Sequence, residues 1–215
     1  SHPTTVLPCS NHRLWAVWTL RARQRNHAGM MNLRTLLTAP AAAMVAIAAP
    51  ASAELPQGAR APGFATQGAL AGKVFGFNLN AALRKGPVVL YFYPKSFTQG
   101  CTLEAHGFAE AMPEFRKAGA SVIGLSADAI DTQVRFSTEA CRDAFPVGVA
   151  TPAIIQGYKV ALTKPDGSAT GLTSRTSYVI GRDGTVKMVY TNMNYAEHVK
   201  RTLEAVRSLQ PKRKG

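Results

Sequence analysis

The segment Pro94-Lys-Ser-Phe-Thr98-Gln-Gly-Cys101 sets a threonine hydroxyl three residues ahead of a thiol, in a loop framed by proline and glycine. The thiolate rather than the thiol is the nucleophile, so the chemistry on offer is nucleophilic attack or redox exchange, provided the surroundings favour the anion. Upstream, the stretch GPVVLYFYP carries an apolar, β-branched and aromatic run over Val88–Phe92. Pro94 stops it, and such a run predicts a strand buried on both faces. Downstream, Leu103, Phe108, Ala111, Met112 and Phe115 recur at helical spacing, and Gly119 suits the position just past a helix end. Cys101 therefore falls in the first turn of a helix, where unpaired backbone N–H groups stabilise a negative charge. Pro94 stiffens the loop, Gly100 permits a tight entry, and Thr98 can aim its hydroxyl at the sulfur or cap the helix.

The remaining elements follow from the same periodicities. KVFGFNL is a short strand and SVIGLS a second buried one. Ile130, Val134, Ser137 and Cys141 share one helical stripe, and TSYVIGRDGTVKMVY reads as two strands turning at Asp183-Gly184. Tyr195, Val199, Leu203 and Val206 mark an amphipathic helix ended by Pro211, and Thr163–Ser174, rich in Gly, Thr, Ser and Pro, is a loop able to fold against the site. A βαβ unit, a helix, a hairpin and a closing helix predict a thioredoxin-like α/β sandwich, a central mixed sheet flanked by helices.

At these residues the chain resembles a family. Pro94, Thr98 and Cys101 match the active-site motif of the peroxiredoxins, and YFYPKSFTQGCTLEA is most similar to the bacterioferritin-comigratory, or Q-type, branch. The resemblance runs from about residue 57 to 209 and singles out Arg175, which precedes the strand TSYVI as an arginine does in that family. It implies that the guanidinium lies beside the Cys101 sulfur, lowering its pKa and holding the peroxide oxygens. It further implies a thiol peroxidase in which Cys101 attacks hydrogen peroxide or an alkyl hydroperoxide, becomes a sulfenic acid, and is regenerated by a thioredoxin-like or small-thiol reductant. Physical chemistry agrees, since a fixed cationic fork favours both the thiolate and the charge that develops as the O–O bond breaks. Glu104 has counterparts in the family and can bond to Arg175 or the backbone, or face solvent.

Many Q-type members carry a second cysteine five residues after the first; here that residue is His106. Some relatives resolve the sulfenic acid from the following helix, so the resemblance implies a Cys101–Cys141 disulfide, which would need local unwinding. The other reading keeps Cys141 as a buried small hydrophobe and has an outside thiol reduce Cys101 directly. His106 is expected to be non-catalytic, and Tyr91 and Phe92 to form core and pocket walls.

Composition supplies the boundaries. The 215 residues are 46% hydrophobic with a net charge of +13, enough for one domain plus an extension. Residues 1–53 hold five arginines and no acid, leaving 20 basic residues against 12 acidic ones, a modest bias that argues against nucleic acid. Residues 31–53, with Arg34, an Ala-rich apolar stretch and Ala51-Ser52-Ala53, resemble a secretory signal. Pro40 and Pro50 interrupt that stretch, so no stable membrane association is expected. An Arg-rich organelle transit peptide is the rival reading. Residues 1–30 then stand as an upstream extension, 54–215 as the folded domain, and the address as periplasmic or secreted. The expected assembly is a monomer or homodimer. No metal or cofactor is expected, for there is no C-x-x-C, H-x-x-x-H, P-loop or G-x-G-x-x-G. The missing C-x-x-C also weighs against a thiol-disulfide oxidoreductase, which, with a non-catalytic binding module on the same fold, remains the competing class.

Overall fold

The computed structural model describes residues 54–211. Residues 1–53, with the expected signal and extension, lie outside them. The fold is organised by β3 (Val88–Phe92), all five residues of which are buried. Alternation divides them: Val89 and Tyr91 join one core cluster, while Val88, Leu90 and Phe92 join another on the opposite face. β3 pairs in parallel with β4 (Ser121–Ser126) and antiparallel with β8 (Thr176–Ile180). Outward from β4 come β5 (Val147–Val149), β1 (Ala65–Leu70) and β2 (Lys73–Asn78), and outward from β8 comes β9 (Val186–Thr191). The result is a mixed seven-stranded sheet in the order β2-β1-β5-β4-β3-β8-β9.

Helices cover both faces. α2 (Gln99–Lys117), α3 (Ile130–Glu139) and α5 (His198–Ser208) contribute Phe108, Phe136 and Val206 to the first cluster, and α1 (Leu79–Lys85) and α4 (Pro152–Tyr158) contribute Leu79, Leu83, Ile154 and Tyr158 to the second. A helix-flanked mixed sheet is the expected fold class. Gly119 ends α2 as predicted: at φ +69° it lies in the left-handed region, and the following Ala120 N–H returns to the Phe115 carbonyl at 2.9 Å. Among the described residues no helix is long and apolar enough to cross a membrane.

Three sequence expectations are corrected. The Thr163–Ser174 loop is largely a hairpin, β6 (Ala161–Thr163) with β7 (Ala169–Thr173), because the turn residues gather at its tip and the Lys164 N–H closes on the Ser168 carbonyl. α3 stops at Glu139, and Cys141 sits in the turn beyond it. The buried side of α3 is Gln133, Phe136 and Ser137, with Ile130 and Val134 only half-buried. Gln133 wins the inward position because it accepts from Tyr93 Oη at 2.7 Å and donates to Ser126 Oγ at 2.7 Å, two buried hydrogen bonds that an aliphatic residue could not make. On α2, Leu103 is 40% exposed, and the inward stripe is Cys101, Glu104, Ala105, Phe108, Met112 and Phe115.

Candidate active site

The loop between β3 and α2 is tied down by its own backbone. Beyond Pro94, the Ser96 N–H donates to Asp128 Oδ2 at 2.7 Å, and Ser126 Oγ donates to the same oxygen at 2.8 Å, fastening the loop to the end of β4. Phe97 takes a left-handed φ of +64°, costly for a bulky residue. Its ring meets Phe136 edge-on at 5.2 Å, and Arg135 lies 5.0 Å over its centroid. The chain then turns into α2 with Thr98 as N-cap residue.

Thr98 is exposed, and its hydroxyl donates back to the Lys95 carbonyl at 3.0 Å rather than capping the helix, so its oxygen lone pairs stay available as acceptors. Cys101, three residues on, is buried in the first turn. Gly100 has a role beyond easing entry. A Cβ there would stand 3.3 Å from Arg175 Nη2 and 3.7 Å from the Tyr195 ring, so its lack of a side chain lets the guanidinium come close to the helix.

Arg175 follows directly on β7 and Ser174, and is 4% exposed. Each face of its guanidinium is used. Nη2 donates to Cys101 Sγ at 3.3 Å, Nε to the Met193 carbonyl at 3.0 Å, and Nη1 to Glu104 Oε2. The fork thus bridges the first and second turns of α2, and Glu104 takes the Arg175-bonded option among its sequence alternatives. Burial and the Glu104 and Cys101 charges act on Arg175 in opposite senses, and the net is a guanidinium held more firmly protonated than usual.

Behind the pair lies a group that sequence reasoning did not assemble. His198, the first residue of α5, is wholly buried, with Nδ1 2.8 Å from Ser177 Oγ and Nε2 2.8 Å from the Asn192 carbonyl. Nδ1 also lies 3.8 Å from Glu104 Oε1, an oxygen with no hydrogen-bond partner among the described residues. The available signal was Ser177, a small polar residue in the run TSYVI, and Glu104, one helical turn after Cys101 on the same face.

Burial pushes the Glu104 carboxyl up to about 8 against the pull of Arg175. Burial also pushes His198 down to about 4, the Asn192 carbonyl opposing and the Arg175 and Arg201 charges assisting. The signs give a testable pH dependence of stability. From about pH 4.5 to 8 the folded Glu104 keeps a proton that the unfolded chain has released, so stability falls as pH rises. From about 6.5 down to 4 the unfolded histidine binds a proton that the folded one refuses, so stability falls as pH drops. Between 4.5 and 6.5 the two oppose; above 6.5 Glu104 acts alone. Urea midpoints should decline from about pH 6.5 to 8 in the wild type, whereas Glu104→Gln flattens that limb and leaves the acid limb. An equally steep alkaline limb in the variant would contradict the assignment.

Cys141 is separate from this cluster. Among the described residues Cys101 and Cys141 are both free thiols, and both are buried. Burial, aided by the Asp143 charge, pushes the Cys141 thiol well up. Tyr91, stacked on Phe108 at 4.4 Å, has its phenol raised by burial and by the charges of Cys141, Tyr93, Glu104 and Cys101. His106, half-buried on α2, takes no part in the Cys101–Arg175–Glu104 cluster. Tyr91 and Phe92 lie in the core on opposite faces of β3.

The AhpC/TSA family model matches residues 57–189. The chain belongs to the AhpC/TSA family. Within it, the chain is similar to the chloroplastic peroxiredoxin Q of Suaeda salsa, 36% identical over 138 residues, covering 62% of each sequence. The chain thus spans less than two thirds of that relative's length. Among solved structures it is similar to the peroxidoxin BcpB of Mycobacterium tuberculosis (TM-score 0.65, 28% identity, 73% of this chain and 99% of that one). It is also similar to the peroxiredoxin Q of Xanthomonas campestris (TM-score 0.58, 28% identity, 66% of this chain and 90% of that one). The AhpC/TSA match spans the sheet from the approach to β1 into β9, taking in both Cys101 and Arg175.

Proposed function

We propose that this AhpC/TSA family member is a thiol peroxidase that reduces hydrogen peroxide and organic hydroperoxides at Cys101. The observation that carries the reading is the Arg175 Nη2–Cys101 Sγ contact of 3.3 Å at the start of α2. A cation and helix-terminal N–H groups converge there on one sulfur, favouring negative charge on it and on the oxygens it attacks. Cys101 attacks the terminal peroxide oxygen; the S–O bond forms as the O–O bond breaks. Water or an alcohol departs after protonation, and the sulfur is left as a sulfenic acid. Thr98 Oγ accepts from the peroxide hydroxyl, and the backbone N–H groups of the helix start hold its oxygens. Pro94 keeps this loop in place.

The sulfenic acid then condenses with Cys141, giving a disulfide and water, and a thioredoxin-like or small-thiol reductant restores both thiols. Because both cysteines are buried, this requires the first turns of α2 and the turn holding Cys141 to open. Residues 31–53 act as a secretory signal that places the enzyme in the periplasm or outside the cell, in antioxidant defence.

Treatment of the full chain with one equivalent of hydrogen peroxide, then intact mass and non-reducing peptide mapping, tests both halves. Loss of two hydrogens with Cys101 linked to Cys141 is the expected result, and Cys141→Ser should instead gain one oxygen at Cys101 with the first turnover intact. Oxygen confined to Cys101 in the wild type makes an outside thiol the resolver. If Cys101 reacts no faster than free cysteine, the peroxidase reading falls.

A further inference from the structure

The Arg175 guanidinium carries one positive charge but faces two acids, with Nη2 on Cys101 Sγ and Nη1 on Glu104 Oε2. All three residues are almost wholly buried. With both acids ionised the site would hold an uncompensated buried negative charge, which is expensive.

The orphaned oxygen indicates where the shared proton rests. The Asn192 carbonyl can only accept, so His198 Nε2 carries the hydrogen of that 2.8 Å bond. Nδ1 is then the lone-pair nitrogen and accepts from Ser177 Oγ–H. It has nothing to donate to Glu104 Oε1, 3.8 Å away and otherwise unpartnered. A buried carboxylate oxygen without a donor costs far more than the oxygen of a neutral carboxyl in the same place.

We propose that Glu104 is the charge-balancing acid of the thiol site, neutral while Cys101 carries a negative charge and ionised once that charge is spent, its proton released to solvent. The inference rests on the peroxidase reading. The other groups facing Glu104 fit. Tyr91 on β3 stays a neutral phenol, Arg175 stays cationic, and His198, with Arg201 beyond it on α5, stays neutral at rest. The elevated Glu104 and depressed His198 pKa values have the matching sense.

The step balances as Cys101–S⁻ + HOOH + Glu104–COOH → Cys101–SOH + H₂O + Glu104–COO⁻. Sulfur gives two electrons to the peroxide, the leaving hydroxide takes a proton from solvent, and Glu104 returns one to solvent. Arg175 then pairs with the carboxylate in place of the lost thiolate. Glu104 touches neither substrate nor reacting atoms; it is a positioning residue that sets the charge around Arg175.

The test is a single turnover of the full chain with hydrogen peroxide near pH 7, in weak buffer with an indicator dye, scoring protons taken up per peroxide consumed. The wild type should take up none, and Glu104→Gln, which mimics the neutral acid but cannot ionise, should take up one. An infrared difference spectrum of the wild type, reduced against oxidised, should show loss of a protonated carboxyl C=O band, and this readout does not depend on the variant folding. One proton per peroxide in the wild type, no difference between wild type and variant, or no carboxyl band would overturn the inference while leaving the peroxidase intact. Absence of peroxide consumption by the wild type would remove both.

Discussion

Cys101→Ser should reduce peroxide consumption to the uncatalysed background, a fall on the order of 10⁶-fold by analogy with removal of a catalytic nucleophile elsewhere. The hydroxyl occupies nearly the same volume and still accepts from Arg175 Nη2, so the cluster of Arg175, Glu104 and His198 keeps its geometry. What is lost is a polarizable, nucleophilic sulfur able to accept an oxygen. Stability should change by less than about 1 kcal/mol, since neither a cavity nor an unpaired charge is created. Stopped-flow peroxide consumption beside a urea titration of the same variant gives both numbers. Residual turnover within tenfold of wild type would mean another group does the chemistry, and a collapse of stability would mean Cys101 matters mainly for packing.

Arg175→Met should have the next largest effect, lowering the second-order rate with hydrogen peroxide by about 10²–10³-fold, the loss seen when one donor to a developing negative charge is removed. It also strips Glu104 of its only hydrogen-bond partner among the described residues and the Met193 carbonyl of its Nε donor. Removing one member of a buried ion pair costs about 3–5 kcal/mol when the survivor stays charged. Here the survivor can neutralise itself: burial already holds Glu104 near 8, and loss of the guanidinium, the one group pulling it down, raises it further. The stability deficit of Arg175→Met should therefore be smaller at pH 5.5 than at pH 8.5, and urea titrations at the two values check this. Arg175→Lys keeps the charge, but a single ammonium cannot reach sulfur, carboxylate and carbonyl together, so it should fall between wild type and Met in rate. A lysine variant as fast as wild type would show that charge alone, without the fork, suffices.

Both expectations depend on residues that the sequence made visible to different degrees. β3, β4 and the β8–β9 hairpin were legible because continuous apolar runs and an Asp-Gly turn are local signals. The length of α3 was not, since its inward face is partly polar: Gln133 is selected by the hydroxyls of Tyr93, just past β3, and Ser126, at the end of β4, 40 and seven residues away in sequence. The β6–β7 hairpin was obscured in the same way, its short strands carrying Gly and Thr in place of a clear alternation. β1, which links the β2 edge to the rest of the sheet, has the weakly patterned sequence ATQGAL and gave no signal.

The sequence by itself determined the nucleophile and its setting. A buried strand, a proline-ended loop and a helix start leave Cys101 no other local environment, and the motif around it drew attention to Arg175, 74 residues further on. Only the tertiary structure decided what stands behind them. That Glu104 faces inward, that it shares one guanidinium with the sulfur, and that a histidine from the closing helix meets its second oxygen all depend on α2, α5 and the end of β7 packing over one face of the sheet. Burial is a property of that packing rather than of any window of residues. A carboxyl that looks like a solvated helix position in the sequence becomes, once covered, the group whose charge the thiol site must balance.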